Sequence, residues 1–261
     1  MVSLLTQRDF RELQKLKFCY VCGCDFDPAD VKDRDHLPAK AVFAVPDRTP
    51  ALWLPTHKRC NGGHSTLDHK IGQLIALKRG QVPTRRDRQL RFKIIQPDLG
   101  AIENLDVGDV VRRWIRGFHV ALYREPIPPG PLPGALQTPF PSGTLGPRGI
   151  QFDPLLPQHS VFVNTIKTQR AKRNTDAIKS NNGKLIYECV WHQADNGGPW
   201  LCLFALNLYD WKDLGFTPGQ PSRGCAGFYQ LDSGLPPAAG TRAVTTTILI
   251  PNFDRLDPFA P

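Results

Sequence analysis

The sequence has little that would place it in a membrane or in a disulfide scaffold. No apolar run in its 261 residues reaches the ~20 residues that cross a bilayer, and residues 1–10 lack the basic-then-apolar pattern of a secretory signal. A chain this long builds a core without covalent staples, and its seven cysteines are an odd number. No internal repeat is visible. We therefore expect a soluble, cytoplasmic protein with no membrane partner.

Acidic residues are also scarce relative to basic ones. The chain has 33 Lys plus Arg against 24 Asp plus Glu, a net charge of +9, and its 41% apolar and 22% charged residues are typical of a folded globular protein. An excess of positive charge favours a polyanionic partner such as nucleic acid, although a merely basic soluble surface gives the same total.

Composition divides the chain into an N-terminal part with apolar residues at helical spacing and a β-rich C-terminal part. Helices are predicted over Thr6–Phe18, Leu67–Leu77 and Asp106–Tyr123. Strands are predicted over Val161–Ile166, Lys184–His192, Trp200–Tyr209 and Ala243–Ile250, with a hairpin turn beginning at Asp195. Glu125–Gly149 holds eight prolines and five glycines, which predicts a linker without regular structure. We expect an α+β protein with a domain over 1–100, a helix plus linker over 101–149, and a mostly β domain over 150–261.

The informative region holds two matched pairs of metal-binding residues. Cys19 and Cys22 form a C-x-x-C knuckle followed by glycine, and His57 and Cys60 repeat the spacing. Together these pairs can complete a Cys3His tetrahedron around one Zn²⁺, which is more specific than a single pair. Cys24 is interpreted as a small buried thiol, with His64 as the other spare ligand. The remaining cysteines, Cys189, Cys202 and Cys225, are too scattered for a second site.

The order of motifs in this region resembles that of the HNH endonuclease family. The matching residues, within about 18–76, are Cys19-x-x-Cys22, then Asp35-His36-Leu-Pro38, then a strand from Ala51 running into His57-x-x-Cys60-Asn61. The resemblance implies a ββα-metal unit held together by a structural zinc ion. It further implies hydrolysis of DNA phosphodiester bonds, with His36 as general base and one Mg²⁺ or Mn²⁺ held by Asp35 and Asn61.

One position departs from the family pattern. The middle Asn of the family would fall near Leu52, where this chain has none. A backbone carbonyl of this strand could orient the His36 imidazole instead, and Asp47 or His69 could contribute to the site. The alternative hypothesis is a catalytically inactive zinc-ribbon module that binds nucleic acid, or an adaptor whose C-terminal domain binds another protein.

A basic segment follows the predicted catalytic helix. From Lys70 to Lys93 eight basic residues stand against one acid. We expect this segment to contact the DNA backbone through Arg85, Arg86, Arg88, Arg91 and Lys93, with the Arg112, Arg113 and Arg116 face of the next helix as an extension. If this segment does not contact DNA, we expect the Lys167–Lys184 stretch to do so. Analogy suggests a role in bacterial antiviral defence or restriction. One ββα unit supplies one nicking centre, so double-strand cleavage requires a homodimer or two successive encounters.

Overall fold

The computed structural model describes residues 2–4, 7–48, 52–78, 92–96, 99–102, 107–127, 134–137, 144–145, 157–172, 174–193, 200–209, 225–231 and 247–249. Within these ranges the chain mixes helices and sheets, and its C-terminal half is mostly β. This confirms the α+β class expected from the periodicity. The proposed domain boundaries stay a prediction.

The largest sheet combines strands from both ends of the chain. Seven of the described strands form it in the order β1-β12-β8-β9-β10-β11-β6, with β1, β12 and β8 parallel and the remaining pairs antiparallel. Its strands are β1 Val2–Leu4, β6 Gly134–Gln137, β8 Asp176–Ser180, β9 Leu185–Gln193, β10 Trp200–Leu208, β11 Cys225–Leu231 and β12 Thr247–Leu249.

Two smaller sheets lie within the first 145 residues. An antiparallel pair joins β2 Lys32–Leu37 to β3 Leu52–His57, with Lys32 opposite His57 and Leu37 opposite Leu52. The other sheet has the order β4-β5-β7, formed by β4 Phe92–Gln96, β5 Leu99–Ile102 and β7 Thr144–Leu145.

The described helices are α1 Gln7–Gln14, α2 Lys58–Gly62, α3 Ser65–Lys78, α4 Val107–Tyr123 and α5 Pro157–Ala171, and two 3-10 turns cover Lys40–Val42 and Val45–Asp47. Helix α5 packs on β9, β10 and β11, whereas α4 contacts β2, α3 and β8. Because α4 lies between the β2–β3 pair and the large sheet, it is buried nearly all round. Trp114 and Phe118 are fully buried, and the Phe118 ring centroid lies 4.9 Å from that of Tyr187.

Several predicted elements are confirmed. Helices α1, α3 and α4 and strands β9 and β10 fall where the periodicity placed them, and β12 covers three residues of its predicted strand. The pairing of β9 with β10 is antiparallel, as a hairpin requires. The turn predicted at Asp195 lies outside the described residues.

Two predictions are wrong. Val161–Ile166 is not a strand but the middle of α5, where Ile166 is 1% exposed against the sheet. The β-branched residues there suit either structure, and Pro157 at the first helical position favours a helix. Glu125–Gly149 is not free of regular structure, because β6 and β7 lie within it. Both are edge strands in their sheets, a position that tolerates a Pro- and Gly-rich neighbourhood.

Candidate metal centre

The first half of the metal centre is a tight knuckle between α1 and β2. The Gly23 N–H donates to the Cys19 carbonyl and the Cys19 N–H donates to the Cys24 carbonyl, both at 2.8 Å. Gly23 has a φ of 75°, a left-handed conformation that glycine adopts without strain. The chain therefore folds back within five residues, and the side chains of Cys19 and Cys22 lie on the same side of the turn.

The second half comes from the junction of β3 with α2. His57 is the last residue of β3, and Cys60 lies within the first turn of α2. Pairing of His57 with Lys32 brings this junction to the start of β2. The knuckle is attached to the same strand, because the Tyr20 N–H donates to the Pro55 carbonyl at 3.3 Å.

These elements bring the four predicted ligands together. The three Sγ atoms and one imidazole nitrogen of Cys19, Cys22, His57 and Cys60 all lie within 4.8 Å of one another. His57 Nδ1 is 3.5 Å from Cys22 Sγ and 3.8 Å from Cys60 Sγ. Zinc bonds of about 2.0–2.3 Å in a tetrahedron give ligand separations of about 3.5–3.8 Å. The cluster could therefore hold one metal ion such as Zn²⁺.

The opposite side of the His57 ring is held by a carboxylate. His57 Nε2 lies 3.1 Å from Asp30 Oδ2, and the Phe26 ring packs edge-on against the imidazole at 4.8 Å. An Nε2–H that donates to Asp30 leaves Nδ1 with its lone pair facing the three sulfurs. This carboxylate–histidine arrangement is typical of metal-binding histidines, where it fixes the tautomer and the ring orientation.

Without a cation among them, two of the three thiols favour the neutral form. Burial raises the pKa of Cys22 to about 12, and the neighbouring Cys19 sulfur adds to the effect. Burial also raises the pKa of Cys60. Burial acts in the same sense on Cys19, but hydrogen bonds from Thr56 and from backbone N–H groups outweigh it and lower its pKa to about 7. Three adjacent thiolates require a positive charge to balance them, which a bound metal supplies.

The two spare ligands lie outside this cluster. Cys24 is exposed, although the sequence favoured a buried thiol, and its Sγ lies 3.8 Å from the Cys22 carbonyl oxygen. His64 lies near Asp68, whose pKa it lowers slightly. Among the described residues, neither side chain belongs to the four-ligand group.

His36 lies on β2, opposite Trp53 of β3. Its side chain is half-buried, and no hydrogen bond to the imidazole is formed within the described ranges. Burial lowers the pKa of His36, the Lys40 ammonium lowers it further, and Asp35 opposes them. The ring is therefore neutral near pH 7, with a free nitrogen lone pair. The carbonyl contact expected in place of the family's middle Asn is not formed in the described part of the chain.

Asp35 points to the other side of β2, because successive strand residues face opposite sides. Its Oδ2 accepts hydrogen bonds from the Tyr20 hydroxyl and from Arg113 Nη1, the latter at 2.9 Å. Arg113 Nη2 also donates to Asp68 of α3. All three charged residues are at least 94% buried. One guanidinium of α4 therefore joins two buried carboxylates. The Asp35 carboxylate already accepts hydrogen bonds from two partners, Tyr20 and Arg113.

Asn61 lies in α2 and contacts a different carboxylate. Its Nδ2 donates to Asp33 Oδ2 at 2.9 Å, and this bond is the main cause of the lowered pKa of Asp33. Asp33 and Asp35 share one face of β2. In the described part of the molecule no hydrogen bond connects Asn61 with Asp35, so the structure does not bring these two predicted ligands into contact.

The structure describes few of the residues that were predicted to contact nucleic acid. Arg85, Arg86, Arg88 and Arg91 lie outside the described residues, and Lys93 is described only as part of β4. The Arg112, Arg113 and Arg116 face cannot be the expected surface extension, because Arg113 and Arg116 are 3% and 6% exposed. Arg116 donates to the Ile127 carbonyl at 3.3 Å.

No local pattern pointed to the residues that support the site. Asp30, Tyr20 and Asp68 become partners of predicted site residues only through packing. A periodicity argument places Arg113 on the polar face of an amphipathic helix. Its burial follows from the position of α4 between two sheets, which no local pattern reports.

No protein-family model, no curated protein and no solved structure matches this chain. The Cys3His cluster is compatible with an HNH nuclease but is not restricted to that family. Within the described ranges, every helix is too short or too polar to cross a membrane.

Proposed function

We propose that the chain is a metal-dependent endonuclease of the HNH type that hydrolyses DNA phosphodiester bonds. The observation that carries the proposal is the meeting of two antiparallel strands and the following helix at one Cys3His cluster. This is the order of elements that the family resemblance implies. A metal with four protein ligands leaves no position for substrate, so its role in this proposal is structural.

His36 is the proposed general base. Its imidazole is half-buried, without a hydrogen-bond partner in the described ranges, and neutral at physiological pH because burial and Lys40 lower its pKa. A neutral imidazole accepts the proton of a water molecule as that water attacks phosphorus. Lys40 is well placed to attract the phosphate to this nitrogen.

A Mg²⁺ or Mn²⁺ ion, when bound, would neutralise charge on the phosphate and the leaving oxygen. Its proposed ligands are Asn61 and a β2 carboxylate, which lie on the face of β2 opposite to His36, so joint action with the His36 base on one phosphate requires a rearrangement of this strand. Asp33 is already next to the Asn61 amide, so these hard oxygen donors fit such an ion. Asp35, the carboxylate that the resemblance implies, is engaged by Arg113 and Tyr20. For Asp35 to bind the metal ion, its carboxylate must first be released from Arg113.

The contacts of Asp35 with Arg113 and Tyr20 favour a second candidate function. A zinc-stabilised module that binds nucleic acid without cleaving it needs neither a free Asp35 nor an oriented His36. A role in bacterial antiviral defence or restriction would follow from the first candidate and rests on the family resemblance alone.

A plasmid-nicking assay distinguishes the two functions. Zinc-loaded protein is incubated with supercoiled plasmid and Mg²⁺ or Mn²⁺, and conversion to open circles is followed on a gel. We expect nicking by the wild type, a loss of at least about 100-fold in His36→Ala, and no change in His192→Ala, an exposed histidine on β9.

Two isosteric variants identify the carboxylate. Asp33→Asn removes the charge beside Asn61, whereas Asp35→Asn removes the charge that Arg113 holds. We expect Asn61→Ala and one of these variants to need more Mn²⁺ for half-maximal nicking. If the wild type binds plasmid but does not nick it with either metal, the endonuclease hypothesis is rejected. The nucleic-acid-binding module is then the remaining candidate.

A further inference from the structure

Strand β2 separates its charges by face. The residues from Lys32 to His36 alternate Lys, Asp, Arg, Asp and His, so the stretch carries no net charge with histidine neutral. A strand directs alternate residues to opposite sides. The carboxylates therefore share one face, where half-buried Asp33 meets Asn61 and buried Asp35 meets Arg113. The opposite face carries Lys32, Arg34 and His36.

The two outward cations are supported by aromatic rings. Lys32 Nζ lies 4.8 Å from the ring centroid of Phe26, and Arg34 Cζ lies 4.4 Å from that of Trp53. Both cations are exposed, and neither forms an ion pair with any carboxylate in the described part of the chain. Stacking restricts these long side chains but leaves their charges without counterions.

A third cation extends this face beyond the strand. Lys40 follows in the first 3-10 turn, is exposed, and is close enough to His36 to affect it electrostatically. We call Lys32, Arg34 and Lys40 the basic strip. His36 lies between Arg34 and Lys40 along the chain and shares the outward face of β2.

We propose that the basic strip binds the phosphate backbone of DNA and guides one strand across the outward face of β2 to His36. The choice of DNA as occupant rests on the proposed function, whereas the strip itself rests on contacts independent of it. Charge complementarity supports a polyanion, because two unpaired cations line one side of β2 and a third, Lys40, follows in the first 3-10 turn. Two residues of a strand advance about 6.8 Å, so Lys32 and Arg34 can contact separate phosphates.

The contacts are expected to be independent of DNA sequence. Lysine and arginine side chains that meet phosphates position a duplex without reading its bases. The Arg34 guanidinium lying over Trp53 presents its outer plane and its N–H groups to the ligand, a geometry suited to phosphate oxygens. This surface is distinct from the Arg85–Lys93 segment that the sequence suggested.

Binding without cleavage tests the strip. The probe is a fluorescein-labelled DNA duplex, titrated with zinc-loaded full-length protein by fluorescence anisotropy at several KCl concentrations and without added Mg²⁺ or Mn²⁺. The double variant Lys32→Glu/Arg34→Glu should bind at least about tenfold more weakly. The slope of log K against log [salt] should fall by about 1.8, the value for two lost phosphate contacts.

Matched variants separate the effect of the basic strip on DNA affinity from the effect of the protein's total charge. Arg11→Glu/Lys17→Glu changes the charge by the same amount on two exposed residues, one in α1 and one three residues beyond it, and should bind like the wild type. Arg34→Lys keeps the charge and should keep the salt slope, and Lys32→Gln/Arg34→Gln should lose contacts without adding repulsion. Zinc content and circular dichroism are compared for all variants.

The outcomes bear separately on the strip and on the enzyme. If both Glu double variants bind equally weakly, or both bind like the wild type, the strip is not the binding surface. Selective loss in the Lys32 and Arg34 variants supports it, whether or not the wild type nicks plasmid. Nicking by a wild type whose strip variants bind normally would retain the endonuclease and overturn the strip.

Discussion

Arg113 contacts two buried carboxylates in the described core, and replacing it by Met tests the packing directly. The substitution keeps an unbranched side chain of similar length and removes the guanidinium that joins Asp35 to Asp68. Both carboxylates are at least 94% buried, so water cannot take over the role of Arg113. We expect a large loss of stability.

The magnitude follows from the cost of an uncompensated buried charge. Removing one partner of a buried ion pair costs about 3–5 kcal/mol, because the remaining charge keeps its desolvation penalty. Burial already raises the pKa of Asp68, against the opposing effect of Arg113. Without Arg113 this pKa rises further. A raised folded-state pKa means that stability is lost as pH rises, so the deficit of Arg113→Met should narrow as pH falls.

Urea denaturation of zinc-loaded protein, followed by circular dichroism, measures the loss. Arg112→Met is the matched control on the same helix: Arg112 is half-buried and forms no ion pair in the described ranges, so we expect a change of less than about 0.5 kcal/mol. The triple variant Arg113→Met/Asp35→Asn/Asp68→Asn should recover most of the loss, since it leaves none of the three charges of this cluster uncompensated.

Two results would refute this reasoning. An Arg113→Met protein within about 1 kcal/mol of the wild type would mean that the carboxylates are hydrated or not in contact with Arg113. A triple variant as unstable as the single one would mean that Arg113 acts through its packing and not through its charge.

Three further predictions concern the metal, a close contact and a buried histidine. Purified protein should contain about one zinc per chain by elemental analysis, with zinc lost in Cys60→Ser and kept in Cys24→Ser, whose thiol lies outside the cluster. Gly72→Ala should cost about 1–3 kcal/mol in urea denaturation, because its Cβ would overlap a backbone carbonyl of the first 3-10 turn, whereas Gly63→Ala meets nothing. Burial lowers the pKa of His119, so the free energy of unfolding should decrease as pH falls below about 6.5. His119→Gln should flatten this pH dependence. If the pH dependence is unchanged in that variant, another titrating group causes it.

Local patterns located the parts of the molecule whose structure is decided within a few residues. The C-x-x-C spacing and its glycine are sufficient for a turn that places two sulfurs side by side, and the apolar stripe of α4 identified a helix of 17 residues. Likewise the β-rich composition of β9 and β10, with a turn signal between them, predicted two strands that pair. In each case neighbouring residues supply the hydrogen bonds and periodicity that fix the conformation.

Where local preferences were balanced, tertiary contacts decided the structure. Val161–Ile166 has residues suited to a strand, yet it forms a helix because α5 covers one face of the large sheet. The Pro- and Gly-rich segment after Glu125 contributes two short strands because neighbouring strands offer free edges. These outcomes depend on partners far away along the chain, which periodicity does not contain.

By itself, the sequence determined the four candidate ligands of the metal centre through residue type and spacing, and its resemblance to the HNH family implied the order of two strands and a helix around them. Only the tertiary structure decided what the nearby charges do. It buried Arg113 between Asp35 and Asp68 because α4 is covered on both sides, and it paired Asn61 with Asp33. It also turned a neutral run of alternating charges into a cationic outer face and an acidic inner face, because a paired strand presents its two sides to different surroundings.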